Sequence, residues 1–242
     1  MDITGQTALV TGANRGIGRQ FVLELLDRGA TKVYAAVRRP DTVDFDDSRV
    51  VPLRLDLLDE ESVAAAARAA GDVTLLVNNA GISTGASLVT GDLTQVRQEM
   101  DTHFWGTLGV IRQFAPVLAA NGGGAVVNVL SALSWFATAT TGAYAAAKAA
   151  AWNMTNAVRL ELAPQGTHVQ GVLFGVAATE LATNGYSGDM IDPRDVPRRA
   201  LDGLAAGSIE VVVDDTTAWV KQSLSGDRAT FYGQVTAKLG VS

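Results

Sequence analysis

The 242-residue chain has no cysteine and only two histidines. The first absence excludes disulfide bridges, thiol nucleophiles and any zinc or iron-sulfur site built on thiolates. The second leaves too few imidazoles for a histidine-rich metal site, so no metal is expected. Charged residues make up only 18% of the chain, and 25 acids against 19 bases give a formal net charge of -6. That balance lacks the lysine and arginine patches that nucleic acids and anionic membranes select, and neither is expected as a partner. No apolar run approaches the roughly 18 to 20 residues that span a bilayer. The start, Met1 to Thr11, also lacks the basic-then-apolar pattern of an export signal. The expectation is an unprocessed cytoplasmic protein.

What the sequence has in quantity is apolar and small residues: 48% are hydrophobic and 25 are glycine, where average usage would give about 17. The apolar stretches are short, β-branched and separated by helical periodicity, the pattern of βα units whose strands are buried on both faces. Strands are predicted at Thr7 to Val10, Lys32 to Val37, Val50 to Leu55, Thr74 to Val77, Ala125 to Leu130, Val169 to Phe174 and Glu210 to Val213. Helices are predicted at Gly16 to Arg28, Asp59 to Ala70, Leu93 to Ala120 and Ala143 to Ala163, with a short pair after Asp189 and another at Thr217 to Ser223. Right-handed crossovers then give an α/β fold, a Rossmann-type doubly wound parallel sheet of seven strands with helices on both faces. No linker divides the chain, so residues 1–242 read as one domain. Within it the irregular stretch from Gly175 to Arg194 reads as a substrate-loop region.

The first strand runs into Thr11-Gly12-Ala13-Asn14-Arg15-Gly16-Ile17-Gly18, and an amphipathic helix follows. Glycines there allow a tight turn and close backbone approach, and the free amides of the helix N-terminus face an anion, which is how a pyrophosphate is gripped. The end of the second strand decides between NAD and NADP, because an acid at that place bonds the ribose 2′-hydroxyl and repels a 2′-phosphate. This chain has Arg38 and Arg39 there, with Arg15 near by in the turn, so NADP(H) is the expected cofactor. Asp41, close behind, is the alternative partner for a ribose.

Further motifs complete a pattern. Asn78-Asn79-Ala80-Gly81 follows the fourth strand, Tyr144 and Lys148 are spaced Y-x-x-x-K on one helical face, and Ser131 lies thirteen residues before the tyrosine. With the glycine turn, these elements resemble the short-chain dehydrogenase/reductases. The resemblance covers most of the chain and thins after Thr179. It implies an NADP(H)-dependent oxidoreductase in which Tyr144 is the acid/base, Ser131 bonds the substrate oxygen and Lys148 supports Tyr144 and holds the nicotinamide ribose. It further assigns cofactor contacts to Gly12, Asn14, Arg15, Gly16, Ile17, Gly18 and Arg38, to Asp56 and Leu57 after the third strand, to Asn78, Ala80 and Gly81, and to Gly175 and Thr179. Asn78 has a second reading, as a structural residue pinning neighbouring strands. The chemistry of the residues agrees: a phenol with a pKa near 10 is a poor base, and a neighbouring ammonium favours its ionised form. By the same resemblance the helices Leu93 to Ala120 and Ala143 to Ala163 pack against a second subunit, giving a homodimer or homotetramer.

Two departures stand out. The family asparagine in the long helix after strand four is thought to kink that helix and support proton transfer; here Met100-Asp101-Thr102-His103-Phe104-Trp105-Gly106-Thr107 puts His103 in its place. An imidazole can relay protons at neutral pH, but a damaged relay and a plain packing role are also open. Where the family usually has Pro-Gly after strand six, this chain has Phe174-Gly175, which is expected to loosen the loop and to add apolar surface near the nicotinamide.

Ser83, Leu133, Trp135, Phe136, Tyr186 and Met190 are placed to line the substrate side, and no lysine or arginine waits there for an anionic group. The expected substrate is a small, uncharged, moderately hydrophobic ketone, aldehyde or alcohol. The alternative from another class is an NADP(H)-binding regulator or scaffold with little turnover, motivated by His103 and the missing proline.

Overall fold

The computed structural model describes residues 1–180 and 190–239. Each predicted strand is present: β1 (Thr7–Thr11), β2 (Lys32–Val37), β3 (Val50–Arg54), β4 (Leu75–Asn78), β5 (Ala125–Val129), β6 (His168–Leu173) and β7 (Glu210–Val212). They form one parallel seven-stranded sheet in the order β3-β2-β1-β4-β5-β6-β7. The winding reverses between β1 and β4, and the crevice beyond their C-terminal ends is where such sheets bind ligands.

The strands read as unbroken apolar runs because each is covered twice. Ala8 and Val10 of β1, Val33 and Ala35 of β2, and Ala125 and Val127 of β5 face one core, while Leu9, Tyr34, Ala36 and Val126 face the other. The first core lies under α1 (Gly16–Asp27) and, later in the chain, α6 (Asp195–Ala205). The second lies under α2 (Glu60–Ala69), α4 (Thr107–Ala120) and α5 (Gly142–Leu162). Asp59 caps α2 by accepting the Ser62 amide at 3.1 Å, and Asp92 caps α3 (Leu93–Met100) by accepting that of Thr94 at 2.8 Å. By contrast α1 begins after Arg15 with no side-chain cap and no acid in its first turn. Its N–H groups are left for an external anion.

Three expectations change. The single helix expected over Leu93 to Ala120 is α3 and α4 joined by a π-helical segment, Asp101–Gly106. The pair of helices expected after Asp189 is α6 alone; its end at Gly207, in the left-handed region at φ 72°, leads straight into β7. A C-terminal α8 (Arg228–Leu239) follows α7 (Asp215–Gln222) and was not among the expected helices. Its Phe231 and Val235 pack with Val220 onto Ala132 and Phe136, so the chain end buttresses the segment after β5. Among the described residues no helix is long and apolar enough to cross a membrane.

Phe231 is fully enclosed, at 2% exposure, and meets Phe136 edge-on at 5.9 Å between ring centroids. Truncation to Ala is expected to cost about 3 to 5 kcal/mol in urea denaturation. Loss of under about 1 kcal/mol would show that α8 is not part of the cooperative fold.

Candidate active site

The glycine turn and the segment after β4 are stitched together by one hydroxyl. Thr11 Oγ1 accepts from the backbone amides of Asn79 and Ala80, each at 3.0 Å, and Asn79 Nδ2 donates back to the Thr11 carbonyl at 3.0 Å. Gly18 has to be glycine: a Cβ there would lie 2.2 Å from the Gly12 carbonyl oxygen, inside the turn. The backbone is therefore tight and side-chain-free where the uncapped α1 begins. Those two properties fit the pyrophosphate of a dinucleotide.

At the second strand's end Arg38 and Arg39 are exposed and make no ion pair or side-chain hydrogen bond among the described residues. Asp41 is exposed beside them. Arg15 reaches across the turn to pair with Glu180, which follows Thr179. The Thr179 methyl sits 3.7 Å from where a Gly16 Cβ would be, placing both sides of the turn within reach of one ligand. Asn14 donates to Thr42 Oγ1 at 3.3 Å, tying the turn to the segment after Arg39. Asp56 is half-buried after β3, where its Oδ1 accepts the Leu58 amide at 3.1 Å, and Leu57 packs beneath Gly106. Ile17 packs against the core on the α1 side.

The structure gathers Ser131, Tyr144, Lys148 and His103 at the ends of β4 and β5. Ser131 is buried directly after β5, and its Oγ accepts the Leu133 amide at 3.1 Å. Ala143, Ala145, Ala147 and Ala151 are buried against the body of the protein. Small residues thus bring α5 close to the sheet. That close approach buries Lys148, whose Nζ donates to the Val129 carbonyl at 3.0 Å and lies 5.6 Å from the Tyr144 ring centroid. Burial lowers the Lys148 pKa to about 8, with the Glu99 charge opposing the shift. Tyr144 departs from the expectation of a lowered value. Its pKa is raised, first by burial, with a contribution from the Glu99 charge, while its hydrogen bond with Ser131 works the other way. A desolvated site penalises the phenolate as it penalises the ammonium.

His103 lies in the middle of the π segment, so the helix distortion expected from asparagine is present with histidine. Insertions of this kind recur at functional sites. The ring is buried at 3% exposure, meets Tyr144 edge-on at 5.2 Å and places Nε2 2.9 Å from the Ile82 carbonyl. Gly81 makes room for it: a Cβ there would come within 2.6 Å of His103 Cε1. Burial holds the His103 pKa below the ordinary histidine value, helped by the Lys148 charge.

Asn78 follows its structural reading. Its Nδ2 donates to Asn128 Oδ1 at 2.9 Å, and Asn128 Nδ2 donates to Thr155 Oγ1 at 2.9 Å, a buried chain joining β4, β5 and α5. Among the described residues Asn78 Oδ1 has no hydrogen-bond partner, and it borders a small cavity with Ala80, His103, Thr107 and Lys148. Asn128 was missed at the sequence level, although an amide inside Ala125–Val129 is a signal, as was Glu99, one helical turn before His103.

Of the substrate-side residues, Ser83 is exposed and Leu133 half-buried, while Trp135 lies edge-on to Trp152 at 6.3 Å. Phe136 is buried against Phe231 of α8 rather than open to a ligand. Met190 is half-buried, and Tyr186 lies outside the described residues. Phe174 is enclosed in the core, with its carbonyl accepting the Ala132 amide at 2.8 Å, so it adds no apolar surface to the cleft. The Gly175 amide instead donates to the α7 cap, Asp214, at 2.8 Å.

Comparison with known proteins agrees with this geometry. The short chain dehydrogenase family model matches residues 6–189. Mouse L-xylulose reductase is 33% identical over 235 residues, covering 93% of each chain. A short-chain dehydrogenase of Penicillium crustosum is 30% identical over 190 residues, 75% of this chain and 69% of its own length. A solved short chain dehydrogenase from Burkholderia cenocepacia, in complex with NADP, superposes with a TM-score of 0.92 at 39% identity, covering 97% of this chain and 99% of that one. Another from Burkholderia phymatum, in complex with NAD, shares the fold at a TM-score of 0.81 and 22% identity. The chain belongs to the short-chain dehydrogenase/reductase family, an oxidoreductase family that uses NAD(P).

The buried lysine gives a pH signature. Unfolded, it keeps its proton to about pH 10.5; folded, it loses it near 8, so between these values the unfolded chain binds more protons and folding gains stability as pH rises. Relative to Lys148→Met, the stability of the cofactor-free protein should rise by about 3 kcal/mol from pH 7 to pH 11 in urea denaturation. A difference independent of pH would mean the ammonium is not desolvated.

Proposed function

We propose that the protein is an NADP(H)-dependent carbonyl reductase acting on small, uncharged, moderately hydrophobic ketones or aldehydes, with the alcohol as product. The observation that carries this reading is the convergence of Ser131, Tyr144 and Lys148 beside a backbone cradle that admits a dinucleotide.

In that reading Gly12, Asn14, Gly16, Ile17 and Gly18 hold the pyrophosphate end. Arg38 and Arg15 would hold the 2′-phosphate, and Asp56 and Leu57 the adenine. Ala80 and Gly81 would lie under the adenosine ribose and nicotinamide side, backed by Asn78 in its buried chain, while Thr179, Gly175, Tyr144 and Lys148 would hold the nicotinamide and its ribose. The cofactor supplies the hydride when bound. Tyr144, kept protonated by its raised pKa, donates its proton to the oxygen that gains charge as the carbonyl is reduced. Ser131 hydrogen-bonds that oxygen and stabilises the developing charge. Lys148 stands behind Tyr144 as the local positive charge, and His103 belongs to the proton supply. Ser83, Leu133 and Trp135, with Tyr186, would form the substrate wall.

NADP(H) rather than NAD(H) is supported by the unpaired Arg38 and Arg39 and by the NADP bound to the 39%-identical Burkholderia protein. A cytoplasmic homodimer or homotetramer extends the reading: Trp105, at 60% exposure, and Leu160, at 77%, are large apolar side chains that subunit contacts would cover. A binder without turnover gains nothing from a lysine ammonium desolvated beside a tyrosine, a costly arrangement that only chemistry rewards.

The test is consumption of NADPH with a panel of apolar ketones and aldehydes. Tyr144→Phe should lower kcat by about 100- to 10,000-fold, far more than it weakens NADPH binding. Tight NADPH binding with no turnover on any substrate would instead support the binder. For the cofactor, Arg38→Asp should weaken NADPH relative to NADH by about 10- to 100-fold, the loss expected for a charged hydrogen bond. No change in the ratio would remove Arg38 from the 2′-phosphate site.

A further inference from the structure

The site contains a buried acid that the reaction described above does not use. Glu99 is fully enclosed, at 0% exposure, on α3 one turn before His103. Its Oε1 accepts from the Thr84 backbone amide at 2.5 Å and from the Thr84 hydroxyl at 2.9 Å. Its Oε2 lies 3.3 Å from His103 Nε2 and accepts no well-directed hydrogen bond. The same Nε2 is 2.9 Å from the Ile82 carbonyl. Both neighbours of Nε2 can only accept, so the proton of a neutral ring has to sit there, and Nδ1 is left as a bare acceptor.

We propose that Glu99 is a positioning residue of this site: together with the Ile82 carbonyl its carboxylate holds His103 as the Nε2–H tautomer, and it provides the buried counter-charge to Lys148. The inference rests on Tyr144 being the acid/base.

The charged and titratable groups facing His103 are Glu99 from its own helix and Tyr144 and Lys148 from α5; the segment after β4 offers it the Ile82 carbonyl and the Gly81 backbone. Among the described residues Glu99 and Lys148 are the buried side chains of full charge, and they have opposite sign. An isolated ammonium in such a place would be far costlier than one with an anion near it. The Glu99 charge acts on both α5 groups in one sense: it favours the Lys148 ammonium and the protonated Tyr144.

The test uses the full-length protein with 15N-labelled histidine. There are two histidines, so the spectrum of His103→Asn identifies the remaining His168 signals. In the unmutated protein His103 should show a pyrrole-type Nε2 and a pyridine-type Nδ1 at neutral pH. A protonated Nδ1 in the neutral ring, or a rapidly exchanging tautomer mixture, would overturn the proposal with no variant needed.

Glu99→Gln keeps the size and an oxygen for Thr84 but removes the charge. It should end the exclusive tautomer and lower kcat by about 10- to 100-fold, the range for losing a partner that orients a functional group. It should also move the pH limb governed by Tyr144 and Lys148 downwards by about one unit. Glu99→Asp, which retains the charge, should leave that limb in place. In a His103→Asn background the kcat loss from Glu99→Gln should be smaller than in the unmutated protein, because the part carried by His103 is gone while the part carried by Lys148 remains. An unmoved limb with a fully additive kcat loss would make Glu99 structural only. If the protein turns over no substrate, the acid/base reading fails, and the histidine spectrum still decides the tautomer.

Discussion

An ammonium group held out of water sets the conditions for everything around it. Lys148 can be buried only because α5 comes within carbonyl distance of β5, and α5 can come so close only because its inner face is alanine. The same approach carries Tyr144 to Ser131 and seals the strands' ends with the Asn78, Asn128 and Thr155 chain. Burial on this scale costs several kcal/mol unless charge is answered by charge. Glu99 gives that answer from the other side of the site, through a helix whose π segment turns His103 inwards. Packing, helix distortion and electrostatics are therefore one problem with one solution, and changing any part of it changes the proton affinity of the rest.

That solution also explains why the distal parts of the chain matter. The segment after β5 must hold Ser131 still, and it continues into the short turn Ala132–Ser134. Phe136 and Trp135 anchor it, and their supports come from α8, α7 and Trp152 of α5. Residues that looked like a substrate wall are thus partly foundation. Asp214 works similarly at the neighbouring strand end: one carboxylate caps α7 and holds the Gly175 amide, which takes over part of the rigidity that proline would have given.

The sheet was legible because both of its faces are covered. Val33 and Tyr34 are adjacent and both apolar, which is uninformative for a half-buried strand and diagnostic for a central parallel one. Strand ends slipped by a residue or so, as at Leu75 and His168, since side-chain pattern does not report where ladder hydrogen bonds stop. The distortion at His103 was legible only through the family resemblance, because the phase shift of one extra residue is hard to read within the mixed pattern of Leu93 to Ala120. Helix α8 was hard to see for another reason: Phe231 and Val235 are its buried anchors, and its neighbours from Arg228 to Thr230, from Tyr232 to Gln234 and at Thr236 and Ala237 are exposed. Of the site, Ser131, Tyr144, Lys148 and the glycine turn stood out by spacing, whereas Asn78 divided between two roles that only a partner across the sheet, Asn128, distinguishes. Glu99 was readable in principle as the i,i+4 neighbour of a histidine, but so are many surface pairs. What separates it from them is burial, which sequence does not display.

The acidic net charge and the proposed anionic cofactor are reconciled by where the charges stand. Arg38 and Arg39 are unpaired at the end of β2, while acids such as Asp59 and Asp92 are occupied as helix caps. Arg15 is the exception, since it already holds Glu180. Both partners of that pair are more than 60% exposed, and exposed pairs contribute no more than about 1 kcal/mol. A phosphate dianion offers a guanidinium stronger, charge-assisted bonds than a single solvated carboxylate. On the NADP(H) reading Arg15 therefore exchanges one anion for a better one at small cost. Until it does so, Glu180 keeps the guanidinium beside the turn where the phosphate would arrive.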